Sequence, residues 1–367
     1  MIYRDLGIDD LLEIAKEKTL ICFGAGQRLK KTCEYYSDKC LFDRIDMIAD
    51  NDESLRVFSF SGKEKPVKSI DECLNATEKE PIILITIEDC IDVIKQLDKI
   101  PELDTCECFI SSFLRHYVEP YHLPIDRAKS EPFQIPKIIH YCWFGGSPIR
   151  DDFERYIKTW KDLCPDYDIV RWDESNYDYK KNEYMYEAYK QKKWSFVPDY
   201  ARLDIIFNHG GVYLDTDVEI IRNIDDLLCN TAFCGFENGG RYVANGLGFG
   251  ATAEFPLIME QMKIYDSISF YNEDGSQNLI TGPMYQTDFM ISKGLVPNNS
   301  LQTVHGITVY PSDVLSPFAP STGTRITANT YAIHHYAATW FNINQMKKRN
   351  NNIQRYNMIS QYFTSSK

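Results

Sequence analysis

Asp215 and Asp217 stand one residue apart at the end of a short apolar run, Val212-Tyr213-Leu214. In extended backbone, side chains at i and i+2 share one face, so both carboxylates are expected to point the same way. Two carboxylates on one face make a hard-oxygen site for Mg²⁺ or Mn²⁺, the ions that neutralise a diphosphate. A nucleotide-sugar donor carries such a group. Upstream, Asp199, Arg202 and Ile206 fall on one helical stripe. Spacing alone leaves the Asp199/Arg202 pair open between a structural salt bridge and a pair of donor contacts, for which the planar guanidinium is suited. Downstream, the adjacent His334 and His335 follow Tyr331-Ala332-Ile333. An imidazole there also suits Mn²⁺. A bare Asp-x-Asp is common in solvated turns, so its neighbours have to decide.

Those neighbours read as a helix, a stop and a strand. Pro198 fits a first helical turn, residues 199–207 keep the helical pattern, and Gly210-Gly211 ends it. Lys137 to Tyr141 is a near-continuous apolar strand with Trp143 just beyond its end. Ligands of open α/β sheets lie beyond the carboxyl ends of strands, so Trp143 is placed either to stack on a nucleobase or to fill the core. Residues 151–164 form an amphipathic helix with Phe153, Tyr156, Ile157 and Trp160 on one stripe, followed by a strand over 168–172. Ala244 to Gly250 is rich in small residues and lets backbone approach a ligand, with Asn245 a candidate sugar contact or turn former. Thr281-Gly282-Pro283 reads as a helix-initiating turn.

The 367 residues suffice for two domains. A net charge of −13 argues against a general nucleic-acid binder. The acidic start, MIYRDLGIDD, is unlike a signal peptide, and no run is long and apolar enough for a membrane span, so a cytoplasmic setting is expected. The eleven scattered cysteines read as reduced, mostly buried thiols. In the first third, strands at 19–23, 44–49 and 81–87 alternate with helical stretches, which points to a Rossmann-like parallel sheet. Gly24, Gly26 and Asp50 would suit a dinucleotide, but Leu29 replaces the third glycine, and a packing or regulatory role is the favoured reading. Prolines 120, 124, 132 and 136 mark a linker. The expected division is a Rossmann-like domain over 1–118, a linker over 119–134, a catalytic domain over 135–340 and a basic tail or helix over 341–367. The tail has no acid; it is either a frayed end or a helix resting on anionic lipid through Ile353, Met358, Ile359 and Phe363.

Asp199-x-x-Arg202 followed by Gly210-Gly211-Val212-Tyr213-Leu214-Asp215-Thr216-Asp217 resembles the DXD signature of glycosyltransferase family 32 and of the related clostridial glucosylating toxins. Ile135 to Gly146 resembles the first strand and loop of those families, and His334 to Trp340 their last metal-side segment. The resemblance implies an α/β domain of the GT-A type. It implies sugar contacts from Asp199, sugar or diphosphate contacts from Arg202 and Asp215, and donor contacts from Tyr141, Trp143 and Asn245. Gly282 would lie near the reaction centre. Asp217 with Asp215 would hold Mn²⁺ or Mg²⁺. In the toxins a carboxylate precedes a tryptophan and helps hold the metal; His335 has that spacing to Trp340, with His334 as the alternative. The implied reaction is retaining transfer of a hexose or N-acetylhexosamine, from a UDP-sugar by preference, with GDP-mannose open. The expected acceptor is a surface glycan such as a lipid-linked capsule or O-antigen oligosaccharide, met at the inner face of the cytoplasmic membrane. A protein-modifying effector and a silent sugar-nucleotide-binding scaffold are the alternatives.

Overall fold

The computed structural model describes residues 1–114, 123, 127–319, 323–324, 326–337 and 343–364. It divides into two compact units, one containing Met1–Tyr117 and Lys348–Lys367, the other containing Val118–Ala319 and Gly323–Lys347. Of the linker prolines, Pro120 and Pro124 fall outside the described residues. The stretch beyond them is not a free tether. Arg127 donates to Asn230 at 3.3 Å, the Ala128 N–H to Asp226 at 3.0 Å, and Ile135 is buried, all within the second unit.

In the first unit a sheet runs in the order Ile2–Tyr3, Glu107–Ile110, Pro81–Ile85, Thr19–Phe23, Met47–Ala49, Lys63–Lys68, Val57–Phe60. Neighbours are parallel until the last pair, which is antiparallel. Thr19–Phe23 is buried at every residue, as a central parallel strand covered on both faces should be. At its end Gly24 has φ +112°, and the Asp50 carboxylate accepts from the Ala25 and Asp52 N–H groups at 2.7 and 2.9 Å. Asp50 therefore closes the glycine turn itself. The helix Ile343–Thr364 ends on this unit: Ile359 is fully buried, and the Tyr362 and Phe363 rings meet Tyr3. Two of the four apolar residues offered to lipid by the sequence are thus taken up by the unit's own core, while Met358 stays exposed. The cysteines are free thiols, buried except for Cys40. Among the described residues no helix is long and apolar enough to cross a membrane.

The second unit is a mixed α/β domain, as expected. Its main sheet runs Gln302–Val304, Ile307–Tyr310, Ala232–Glu237, Phe249–Ala251, Gly211–Tyr213, Ile138–Cys142, Asp168–Trp172. A separate antiparallel pair, Val218–Ile220 with Ala332–His334, sets Val218 opposite His334. The helix Val197–His209 starts on Pro198 and stops at Gly210. Two glycines are needed there because the chain turns against its neighbours. A Cβ on Gly210 would lie 2.9 Å from the Ala253 nitrogen, and one on Gly211, at φ +99°, 2.8 Å from the Ile138 carbonyl.

His140 locks this corner. Its Nδ1 accepts from the Trp172 indole at 3.1 Å, so its Nε2 carries the proton and donates to the Gly210 carbonyl at 3.0 Å. Burial holds its pKa down at about 4. The folded state then binds fewer protons than the unfolded chain between about pH 6.5 and 4, so His140 contributes fully above 6.5 and its contribution is lost on the way down. In urea unfolding, the stability advantage of wild type over His140→Gln should shrink between pH 7.5 and 4.5 by on the order of 2–3 kcal/mol. An advantage that stays constant would contradict the neutral, locked imidazole.

Candidate functional site

The Asp215-Thr216-Asp217 segment leaves the Gly211–Tyr213 strand as expected, but as a turn into Val218–Ile220 rather than as extended backbone. The Val218 N–H closes it on the Asp215 carbonyl at 3.1 Å, and the Asp215 N–H is held by the Gly246 carbonyl at 3.0 Å. Both carboxylates nevertheless converge, and with them comes His334. One oxygen from each aspartate and a ring nitrogen of His334 lie within 4.8 Å of one another. His334 Nε2 is 3.2 Å from Asp217 Oδ1 and 4.0 Å from Asp215 Oδ2.

The preference for His335 needs correcting. Successive residues leaving the Ala332–His334 strand point to opposite sides. His334 faces the aspartates; His335 hydrogen-bonds Glu219 at 2.8 Å and stacks on Tyr156 at 4.3 Å. Trp340, whose spacing favoured His335, lies outside the described residues. Burial disfavours charge on both Asp217 and His334, but their proximity outweighs it: the carboxyl is held below its usual range and the imidazole above. His334 Nδ1 is buried without a hydrogen-bond partner among the described residues. Two carboxylates and one imidazole converging on one point are a donor set that fits a divalent cation of the Mg²⁺/Mn²⁺ class.

Arg202 joins this cluster to Asp199. Its Nη2 lies 3.4 Å from Asp199 Oδ1 and 3.4 Å from Asp215 Oδ1, its Nε donates to the Pro198 carbonyl at 3.1 Å, and its guanidinium sits 5.1 Å over the Tyr213 ring. Both members of the helical pair are buried. Burial pushes the Asp199 pKa up to about 7, against the pull of Arg202 and of the Gly282 N–H. Two glycines make room for the acids. A Cβ on Gly246 would stand 2.1 Å from Asp215 Oδ2, and one on Gly282 2.6 Å from Asp199 Oδ1.

Other expected contacts are distributed unevenly. Asn245 and Gly282 line a pocket with Asp199 and Arg202. Trp143 is half-buried: its ring edge meets Phe153 at 5.9 Å and its N–H donates to the Ser147 carbonyl at 2.6 Å. Tyr141, expected among the donor contacts, is instead a core residue, 8% exposed and edge-on to Trp160 at 5.7 Å. Glu237 and Tyr336 were not foreseen. The Tyr336 hydroxyl donates to Glu237 at 3.2 Å and its ring meets His334 edge-on at 4.2 Å. The His335 N–H donates to the Asp217 backbone carbonyl at 2.9 Å, and Tyr336 then turns through φ +50°, so that the Ala337 N–H reaches the Asp217 carboxylate at 2.8 Å. A glutamate ending an apolar strand was the only sequence signal for this brace.

Removing His334 should therefore be felt by a metal and removing His335 should not. In a thermal-shift titration with MnCl₂, His334→Ala should lose most of the metal-dependent rise in melting temperature, while His335→Ala should keep it. The opposite ranking would refute the assignment.

Residues 150–234, which include Asp199, Arg202, Asp215 and Asp217, match the family described as "Glycosyltransferase sugar-binding region containing DXD motif". Inositol phosphoceramide mannosyltransferase 3 of Schizosaccharomyces pombe is 32% identical over 127 residues, covering 34% of this chain and 35% of that protein. Mannosyl phosphorylinositol ceramide synthase SUR1 of Saccharomyces cerevisiae is 34% identical over 110 residues, covering 29% and 28%. The initiation-specific α-1,6-mannosyltransferase of Candida albicans is 31% identical over 121 residues, 30% of each chain. The chain spans about a third of the length of these curated relatives. Among solved structures, the PaToxG glycosyltransferase superposes with a TM-score of 0.37 at 20% identity, over 46% of this chain and 72% of that one, a likeness too loose to carry detail. Residues 150–234 are thus similar to the sugar-binding region, containing a DXD motif, of glycosyltransferases.

Proposed function

We propose that this chain transfers a hexose from a nucleotide-diphosphate sugar to a lipid-bearing glycan acceptor, with retention of anomeric configuration. The observation that carries this is the unbroken line of charge from Asp199 through Arg202 to Asp215, ending on Asp217 and His334. One end of that line suits sugar hydroxyls and the other a diphosphate. Arg202 stays charged at any working pH, and its partners fix its orientation before a donor arrives. Asp199, poised near neutrality, can accept or donate a hydrogen bond to a sugar hydroxyl. A divalent cation held by Asp215, Asp217 and His334 would offset the charge that builds on the departing diphosphate. No carboxylic acid need then protonate that leaving group.

Mannose is the favoured sugar, because the relatives above are named for mannosyl transfer. A UDP-sugar remains the second reading, supported by the half-buried Trp143 beyond its strand. A lipid-bearing acceptor is supported by two observations. Leu279, Ile280 and Met284 are exposed on either side of Gly282, which lines the pocket. Two relatives are named for inositol phosphoceramide or phosphorylinositol ceramide. Exposed apolar side chains beside a sugar site suit a membrane-borne substrate better than a soluble one. The cytoplasmic face of the membrane remains the proposed setting.

Asp217→Ala should keep the wild-type fold in circular dichroism and lower sugar transfer by on the order of 10²-fold or more. Gly282→Ala, whose backbone is not in the left-handed region, should also fold. It should still lower kcat/KM about tenfold or more by displacing Asp199. Wild-type rates in Asp217→Ala would sink the reading.

A further inference from the structure

The pocket beside Asp199 and Arg202 contains three primary amides, Asn245, Gln261 and Gln286, from three separate elements. All are buried, at 7%, 4% and 6% exposure. Buried amides are costly unless their hydrogen bonds are met. Here they meet one another: Gln286 Nε2 donates to Asn245 Oδ1, and Asn245 Nδ2 donates to Gln261 Oε1 at 3.3 Å. Asn245, a candidate sugar contact on sequence grounds, is thus occupied as the middle link. The Gln286 and Asn245 nitrogens each keep a second N–H, and the two ends of the chain, Gln286 Oε1 as an acceptor and Gln261 Nε2 as a donor, make no bond within it. Turning all three amides over exchanges the ends and leaves the same pair, one donor and one acceptor. Neither end has another protein partner among the described residues. A core needing only volume would be filled by apolar residues at less cost.

The same wall carries the Asp199 carboxyl, with Leu203 and Ile264 as apolar flanks. A donor, an acceptor and a carboxyl around a concavity with room for about one water-sized group suit a hydroxyl-bearing edge of a pyranose, since each hydroxyl both donates and accepts. Arg202 leads from there to Asp215, where the diphosphate is proposed to lie.

We propose that Gln261 and Gln286 are specificity-determining residues that read the hydroxyls of the donor's sugar, with Asn245 the positioning residue that fixes their orientation. The inference rests on the glycosyltransferase reading above. Inverting one hydroxyl moves an oxygen away from a fixed amide and leaves that amide buried and unpaired, which penalises the wrong epimer.

The test uses the full chain with Mn²⁺ and measures donor kcat/KM for the preferred nucleotide sugar and for its single-carbon epimers. The affinity of the sugar-free nucleoside diphosphate is measured alongside. In Gln261→Met and Gln286→Met the ratio between the preferred sugar and at least one epimer should fall about tenfold or more. Nucleoside diphosphate affinity should stay within about twofold, since its contacts are elsewhere. Gln261→Glu, which keeps the oxygen that Asn245 needs but replaces the free donor, should also shift preference, measured at a temperature where circular dichroism shows the variant folded. Unchanged ratios, or an equal loss of affinity for the sugar-free nucleotide, would overturn the assignment. A wild-type chain inert toward every donor would instead defeat the proposed function, visibly and before any variant is made.

Discussion

The second unit is arranged around one buried guanidinium. Arg202 sits in the middle of the helix Val197–His209 with almost no contact with water, and taking such a group out of solvent costs several kcal/mol unless it is paired. Two carboxylates pair it: Asp199, one turn back on its own helix, and Asp215, on the turn after the next strand. The arrangement leaves two negative groups sharing one positive one, and burial pushes Asp199 toward its neutral form. A fold selected for stability alone would replace this triad with apolar side chains. Retaining it makes sense if the charges are there to meet a ligand that brings its own.

The surrounding elements hold that triad at a fixed distance from the third carboxylate. Gly210 and Gly211 let the helix reverse into the central strand without a clash, and His140 ties that reversal to the neighbouring strands through Trp172. Gly246 and Gly282 are empty where Asp215 and Asp199 need space. On the far side, the Val218–Ile220 and Ala332–His334 pair brings His334, from more than a hundred residues away, against the aspartates. The turn at Tyr336 then sets the Ala337 N–H on the Asp217 carboxylate. The last three, the two glycine clearances, the His334 approach and the Ala337 N–H, restrict the acids themselves, which is what electrostatic preorganisation requires.

Much of this was legible in the sequence because it is local. Helix spacing pairs Asp199 with Arg202, paired glycines announce the reversal, and Asp-Thr-Asp after an apolar run marks the acids. What escaped depends on distant partners. Choosing His334 over His335 is a matter of strand parity, and parity follows from a register with Val218 that no short window contains. Tyr141 and Trp143 share a strand face in sequence, yet the helix Asp151–Leu163 takes Tyr141 into the core and leaves Trp143 half outside. Gln261 and Gln286 look like ordinary helical polar residues until their helices are packed against the Asn245 turn. In the C-terminal helix, an apolar face reads the same whether it will meet lipid or protein, and only the fold shows Ile359 in the first unit's core.

The central claim is that Asp215, Asp217 and His334 form a cation site at the diphosphate end of the Arg202 triad. Anomalous diffraction at the manganese edge, from crystals of the full chain grown with MnCl₂ and a nucleoside diphosphate, tests it most directly. A single strong peak among those three side chains, with nucleotide phosphate beside it and Arg202 facing it, is the expected result. A peak seated at His335 and Glu219, or nucleotide bound with no manganese near the aspartates, would contradict it.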